Sequence, residues 1–110
     1  MAKEYTEDEV REKFLMVISG LVDYWLHETR TPDAAGKLDG LAFSILAMLD
    51  GCNMEVPGFV VAPFPHPDDK VYMENNGEDW FPQNHESNVR CDIAGGLHDL
   101  WHGIRRKYGR

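Results

Sequence analysis

Apolar side chains recur at three- and four-residue spacing early in the chain, where Val10, Phe14, Val17, Ile18, Leu21, Val22 and Trp25 draw one stripe along a helix. Thr6 precedes the stripe and Glu9 follows three residues later, the pairing of a capping box, and Glu7, Asp8 and Glu9 bring acids to the first turn, where the helix dipole favours them. The pattern predicts a helix over about 7–27, with Phe14 and Trp25 as core anchors. A second stripe of Leu38, Leu41, Ala42, Ile45, Leu46 and Leu49 follows Thr31 as cap and Pro32 at the first helical position, and Gly51 is placed to end it. The two segments together predict a helical hairpin over 7–50. Gly36 and Gly40 inside the second helix cost about 1 kcal/mol each against alanine; close packing against another element, or a dimer partner, would offset that. A competing reading makes Phe43 to Leu49 a strand with Asp50 and Gly51 in the following turn, although the helical period fits the run better.

Past Gly51 the pattern changes. Phe59-Val60-Val61-Ala62, preceded by Pro57-Gly58, is a β-favouring run. Pro63, Pro65 and Pro67 then remove alternate backbone donors, so a central strand cannot continue. Val71-Tyr72-Met73 reads as an edge strand, Asn75-Asn76-Gly77 as a turn, and Glu78 to Pro82 as a loop whose aromatics fold back on the core. Val89-Arg90-Cys91 reads as a short strand leading to a C-terminal helix over 92–107. That helix has Asp92 as its cap, an irregular start at Gly95-Gly96, and Ile93, Leu97, Leu100, Trp101, Ile104 and Tyr108 on one face. The expected fold class is α+β: about three helices packed with a small antiparallel sheet or hairpin and a long proline-rich loop. The expected strand and loop region spans 57–91, and at 110 residues the chain is read as a single domain, 1–110.

Composition supports a packed domain and narrows its partners. Hydrophobic residues make up 43% and charged residues 27% of the chain, enough apolar side chains for one core. A net charge of −8, from 11 basic and 19 acidic residues, opposes binding to nucleic acid or anionic lipid. Direct nucleic-acid binding is therefore not expected. The acids are scattered, so a decoy that imitates DNA for a DNA-binding host protein is a minor reading. Arg105, Arg106, Lys107 and Arg110 gather at the end, either complementing the carbonyl end of the last helix or touching an acidic surface. Cys52 and Cys91 form no disulfide framework and no CxxC pair, which points to reduced thiols in a cytoplasm. The longest nearly apolar run, 41–49, is too short to span a bilayer, and no targeting segment is recognisable.

Candidate chemistry concentrates at Pro63-Phe64-Pro65-His66-Pro67-Asp68-Asp69-Lys70 and at His98 with His102. His98 and His102 lie one helical turn apart, roughly 100° and 140° from the apolar stripe, hence on its polar flank. Two histidines at that spacing can hold a divalent metal when further ligands converge. His66, Asp68, Asp69, His85, Cys91 and Asp92 are the available donors, with His66, Asp69, His98 and His102 the candidate metal set. His98-Asp99-Leu100-Trp101-His102 lacks the glutamate of a metalloprotease motif. His66 beside Asp68 and Asp69 is either an acid/base set or a turn in which the carboxylates cap backbone amides. Cys91 beside Arg90 is read as a buried structural cysteine in preference to a nucleophile. Three alternating prolines pre-order the loop, as a recognition element would require.

The segments Leu38-Asp39-Gly40-Leu41-Ala42-Phe43-Ser44, Ala62 to Lys70, Asn76-Gly77-Glu78-Asp79-Trp80, and Cys91-Asp92-Ile93 through His98 and His102 resemble small uncharacterised proteins carried by bacteriophages and prophages. The resemblance covers roughly 37–102 and implies a setting, the cytoplasm of a host cell, without an activity. Combined with the residues above, the expectation is a non-enzymatic accessory protein, in homo-oligomeric form, that binds a host protein or a small, defence-related ligand through His66, Asp68, Asp69, Lys70, Trp80, His98 and His102. The second reading is a small metal-dependent hydrolase built on His66, Asp68 or Asp69, His98 and His102.

Overall fold

The computed structural model describes residues 2–82 and 89–110. Four helices make up its regular structure: α1 (Glu7–His27), α2 (Ala34–Leu49), α3 (Asp69–Asn75) and α4 (Leu97–Tyr108). The chain divides into two compact units, one of Met1–Phe59 with Arg90–Arg110, the other of Val60–Val89.

In the first unit α1 is central, with α2 and α4 both packed on it. Its start is the expected capping box: Thr6 Oγ1 accepts from the Glu9 amide at 3.2 Å, and Glu9 Oε1 accepts from the Thr6 amide at 3.0 Å. The ammonium of Lys3 also bonds Glu9, and together with the Thr6 amide it holds that carboxyl at about 2. The α1–α2 seam is the predicted apolar one. Val17, Met48 and Val56 are buried at its centre, with Phe14, Ile18, Leu21, Ile45, Leu49 and Phe59 around them. Phe59 stands edge-on to Phe14, ring centroids 5.1 Å apart. Gly40 receives the Trp25 ring so closely that a Cβ would fall 2.5 Å from it, and Trp25 Nε1 donates to Ser44 Oγ at 2.9 Å. Close packing against a neighbouring helix is thus the reason for glycine at 40.

The caps of α2 correct the expected start and bear out the expected end. Asp33, not Thr31, is the N-cap, accepting from the Gly36 amide at 3.1 Å, and Pro32 precedes the cap instead of opening the helix. A carboxylate carries full negative charge to the dipole's positive end, which a threonine hydroxyl does not. At the other end Gly51 takes a φ of +93° while the amides of Gly51 and Cys52 bond back to Met48 and Ala47. The strand reading of Phe43 to Leu49 falls with this helix.

The α+β expectation is overturned, because the described residues contain four helices and no strand. Phe59 donates its amide to Leu49 O at 3.0 Å, fastening the chain to the end of α2, and Val60 to Ala62 continue without ladder partners. A β-favouring run needs a second strand to satisfy its backbone, and the alternating prolines block one within the same segment. Val71-Tyr72-Met73, read as an edge strand, lies inside α3. A helix satisfies its amides locally where no partner strand exists. Gly77, at φ +65°, closes α3 as the turn signal foretold. Val89-Arg90-Cys91 is likewise no strand. The last helix begins at Leu97, five residues after the expected 92, because Gly95 and Gly96 both adopt positive φ and interrupt it. Asp92 instead accepts from the Ala94 amide in a local turn.

Candidate functional site

His66, Asp68 and Asp69 are brought together as a turn at the start of α3. The His66 amide donates to Asp69 Oδ2 at 3.2 Å, the Asp69 amide to His66 O at 3.0 Å, and the Asp68 amide to His66 Nδ1 at 3.1 Å. Pro67 fixes φ between the two partners, so the loop closes on itself with the Asp69 carboxylate capping the His66 amide. The His66 ring and the Asp68 carboxylate are both exposed, 3.7 Å apart. Lys70, one helical turn before Glu74, places its ammonium 3.9 Å from that carboxylate and 5.7 Å from the centroid of Trp80. This contact joins two of the expected site residues, Lys70 and Trp80, by cation–π attraction.

His98 and His102 lie on α4 in the first unit, whereas His66, Asp68 and Asp69 lie in the second. His98 Nε2 is 3.4 Å from Asp99 Oδ1, with both side chains exposed. Among the described residues no three His, Cys, Asp or Glu side chains gather as a metal site. His85 lies outside the described residues. Cys52 and Cys91 are both exposed thiols, so the reading of Cys91 as a buried structural cysteine is corrected.

The second unit carries a feature that the sequence reading undervalued. Val60, Val61, Phe64 and Phe81 are exposed, Phe64 to 90% and Phe81 to 71%. Trp80 and Phe81 therefore do not fold onto a core as expected. Val61, Ala62, Pro63, Phe64 and Phe81 line a shallow groove of about 510 Å³, with Asp69 as the polar group on its edge. The signal was present in the sequence: apolar residues interleaved with prolines have no sheet to enter, so they stay on the surface.

The first unit holds charges that the sequence assigned either to the carbonyl end of the last helix or to contact with an acidic surface. Arg105 Nη2 lies 3.0 Å from Asp23 Oδ1, and Arg105 Nη1 donates to Ser19 Oγ and Ser19 O. Asp23 is 1% exposed; Oδ1 is held by the ion pair without an aligned hydrogen bond, and Oδ2 accepts from the Arg110 amide at 3.1 Å. The Arg105 guanidinium, aided by that amide, holds the Asp23 carboxyl below its ordinary value against the opposing effect of burial. Glu12 Oε1 accepts from Lys107 Nζ at 2.7 Å and from Tyr108 Oη at 2.8 Å, which lowers its carboxyl in the same way. Of the C-terminal cations, Arg105 and Lys107 are thus committed to carboxylates of their own chain. Arg11, Leu15, Ser19 and Asp23 recur at four-residue steps, a mixed stripe that a search for apolar periodicity passes over.

No helix of the described residues is long and apolar enough to cross a membrane. Comparison with protein-family models, with curated proteins and with solved structures found no match.

Proposed function

We propose that this chain is a non-enzymatic, phage-type accessory protein that engages a host protein through the proline-stiffened segment 60–82. The observation that carries the proposal is the exposure of Val61, Phe64 and Phe81 around one shallow apolar groove. Small-molecule sites enclose their ligand and converge several polar groups on it. Here the groove is open and Asp69 is its polar edge, an arrangement suited to the apolar anchors of a protein surface. Pro63, Pro65 and Pro67 reduce the conformational freedom that binding would otherwise remove. Lys70 and Trp80, held together within the segment, supply a charged and aromatic rim.

The test is capture from bacterial host lysate on the immobilised protein, followed by identification of the captured chain and its affinity for purified variants. Phe64→Asp and Phe81→Asp each weaken binding at least tenfold, a loss of about 1.4 kcal/mol, with the helix content unchanged. The combined substitution His66→Ala, Asp69→Ala, His102→Ala has the smaller effect. A partner bound equally by Phe64→Asp and Phe81→Asp would sink the assignment.

A further inference from the structure

Within its unit α2 packs on α1 and on no other helix, which leaves one side of a mostly apolar helix facing outward. Leu38, Phe43 and Leu46 are 66%, 72% and 61% exposed, and Ala42 between them is exposed as well. Leu38, Ala42 and Leu46 follow one another at four-residue steps, so they stand in one row, with Phe43 on its flank. Single exposed leucines are ordinary; a contiguous apolar row marks a contact surface.

The row is symmetric about its middle, with a leucine four residues before Ala42 and another four residues after it. When two copies of the helix cross antiparallel at Ala42, Leu38 of each copy meets Leu46 of the other. This is the reciprocal contact that a twofold interface requires. The small side chain at the crossing allows the helix axes the usual approach of about 8–10 Å. Charge singles out the same face. Each copy carries −8, so two copies repel over most of their surface, whereas the charged residues within α2 are Lys37 and Asp39, of which Asp39 is the exposed one beside the row. Lys37 is moreover occupied with the carbonyl end of α1, donating to Trp25 O at 2.8 Å. A basic partner would be drawn to the more acidic surfaces elsewhere and not to this sparsely charged one. The row and Phe43 offer on the order of 400 Å² per copy, about half the area per partner of a standard stable interface, which suits a weak dimer.

We propose that the outward row Leu38, Ala42 and Leu46 of α2 is a homodimerisation surface, on which the α2 of a second copy packs antiparallel and crosses at Ala42. The inference is independent of the reading of segment 60–82. Sedimentation of the full chain tests it over protein concentrations from about 10 μM to 1 mM, the range that brackets a weak dimer of this area. The weight-average mass rises toward that of a dimer with concentration. Association tightens several-fold as sodium chloride is raised from about 0.05 to 0.5 M, because salt screens the repulsion between like charges. Leu46→Glu remains monomeric with unchanged helix content, while Phe64→Asp dimerises like the parent. In a Cys52→Ser, Cys91→Ser background, Ala42→Cys oxidises to a linked dimer. Leu38→Cys does not, since in this arrangement its two copies lie eight residues, about 12 Å, apart along the helices. A chain monomeric to 1 mM in high salt, a dimer that survives Leu46→Glu, or equal cross-linking through Leu38→Cys overturns the proposal.

Discussion

Helix α1 is held on one side by apolar side chains and on another by charges, and the two seams differ in what stabilises them. Against α2 it presents Phe14, Val17, Ile18 and Leu21, which gain by leaving water whatever the pH. Against α4 it presents Glu12 and Asp23, which gain only while their carboxyls are ionised and their cations in place, with the Ser19 hydroxyl accepting from Arg105 beside them. Apolar contacts are general and forgiving. A buried ion pair fixes one arrangement and leaves a costly charge behind when either member is lost.

The contrast is broken most forcefully at the centre of the apolar seam. Met48 is 1% exposed and touches Val17 and Val56, so Met48→Ala removes buried methylenes and leaves a cavity. The expected loss is about 2–5 kcal/mol, lowering Tm by roughly 10 °C or more. Urea unfolding followed by circular dichroism gives the same loss at pH 7 and at pH 5. A loss that changes between these two values would show that the apolar seam depends on the charged one.

Arg105→Met sharpens the other half of the comparison. It leaves the buried Asp23 carboxylate with the Arg110 amide as its remaining partner, and Tm falls by roughly 5–10 °C at pH 7. Adding Asp23→Leu recovers part of the loss, because the stranded charge is gone. The pH dependence follows from the direction of the shifts. The folded-state carboxyls of Asp23 and Glu12 lie below their unfolded values, chiefly through Arg105 and Lys107 respectively. Their contribution is therefore complete above the unfolded values, about 3.9 and 4.3, and is lost as pH falls through the folded ones. Thermal melts of the parent chain stay level from pH 7 to 5 as far as these groups are concerned and then drop, and the gap to Arg105→Met narrows below about pH 4. A gap that stays constant down to pH 2.5 would remove the ion pair from the account.

The same division decides what could be read from the sequence. The capping box at Thr6, the apolar stripes of α1 and α2 and the stop at Gly51 are local or periodic, and the structure bears them out. The seam to α4 was legible only in half, as the apolar face of α4. Its other half is built from Glu12, Ser19 and Asp23, polar residues whose inward placement depends on cations more than eighty positions away. The sheet failed for a related reason. Val60, Val61 and Val71 have strand propensity, but propensity describes a fit to neighbouring strands, and none is present among the described residues. The candidate site was partly legible. Pro67, Asp68 and Asp69 announced the turn around His66, and the prolines flanking Phe64 signalled its exposure, whereas that of Phe81 becomes readable only once the sheet that would have covered it is gone.

The rim of the charged seam provides the smallest test. Lys107 and Glu12 are 63% and 42% exposed, so water already competes for both, and an exposed pair contributes little. Lys107→Met lowers Tm by about 3 °C or less at low salt, and the difference shrinks further in about 0.5 M sodium chloride. The Lys107 ammonium is raised above its ordinary value, first by its bond to Glu12, so its contribution is present below about pH 10 and is lost as pH rises through the folded value. Arg105→Met, by contrast, retains its larger effect in the same salt, since burial of Asp23 shields that pair from screening. Equal salt sensitivity in the two variants would mean that Asp23 is wetter than its burial implies and that the charged seam is all rim.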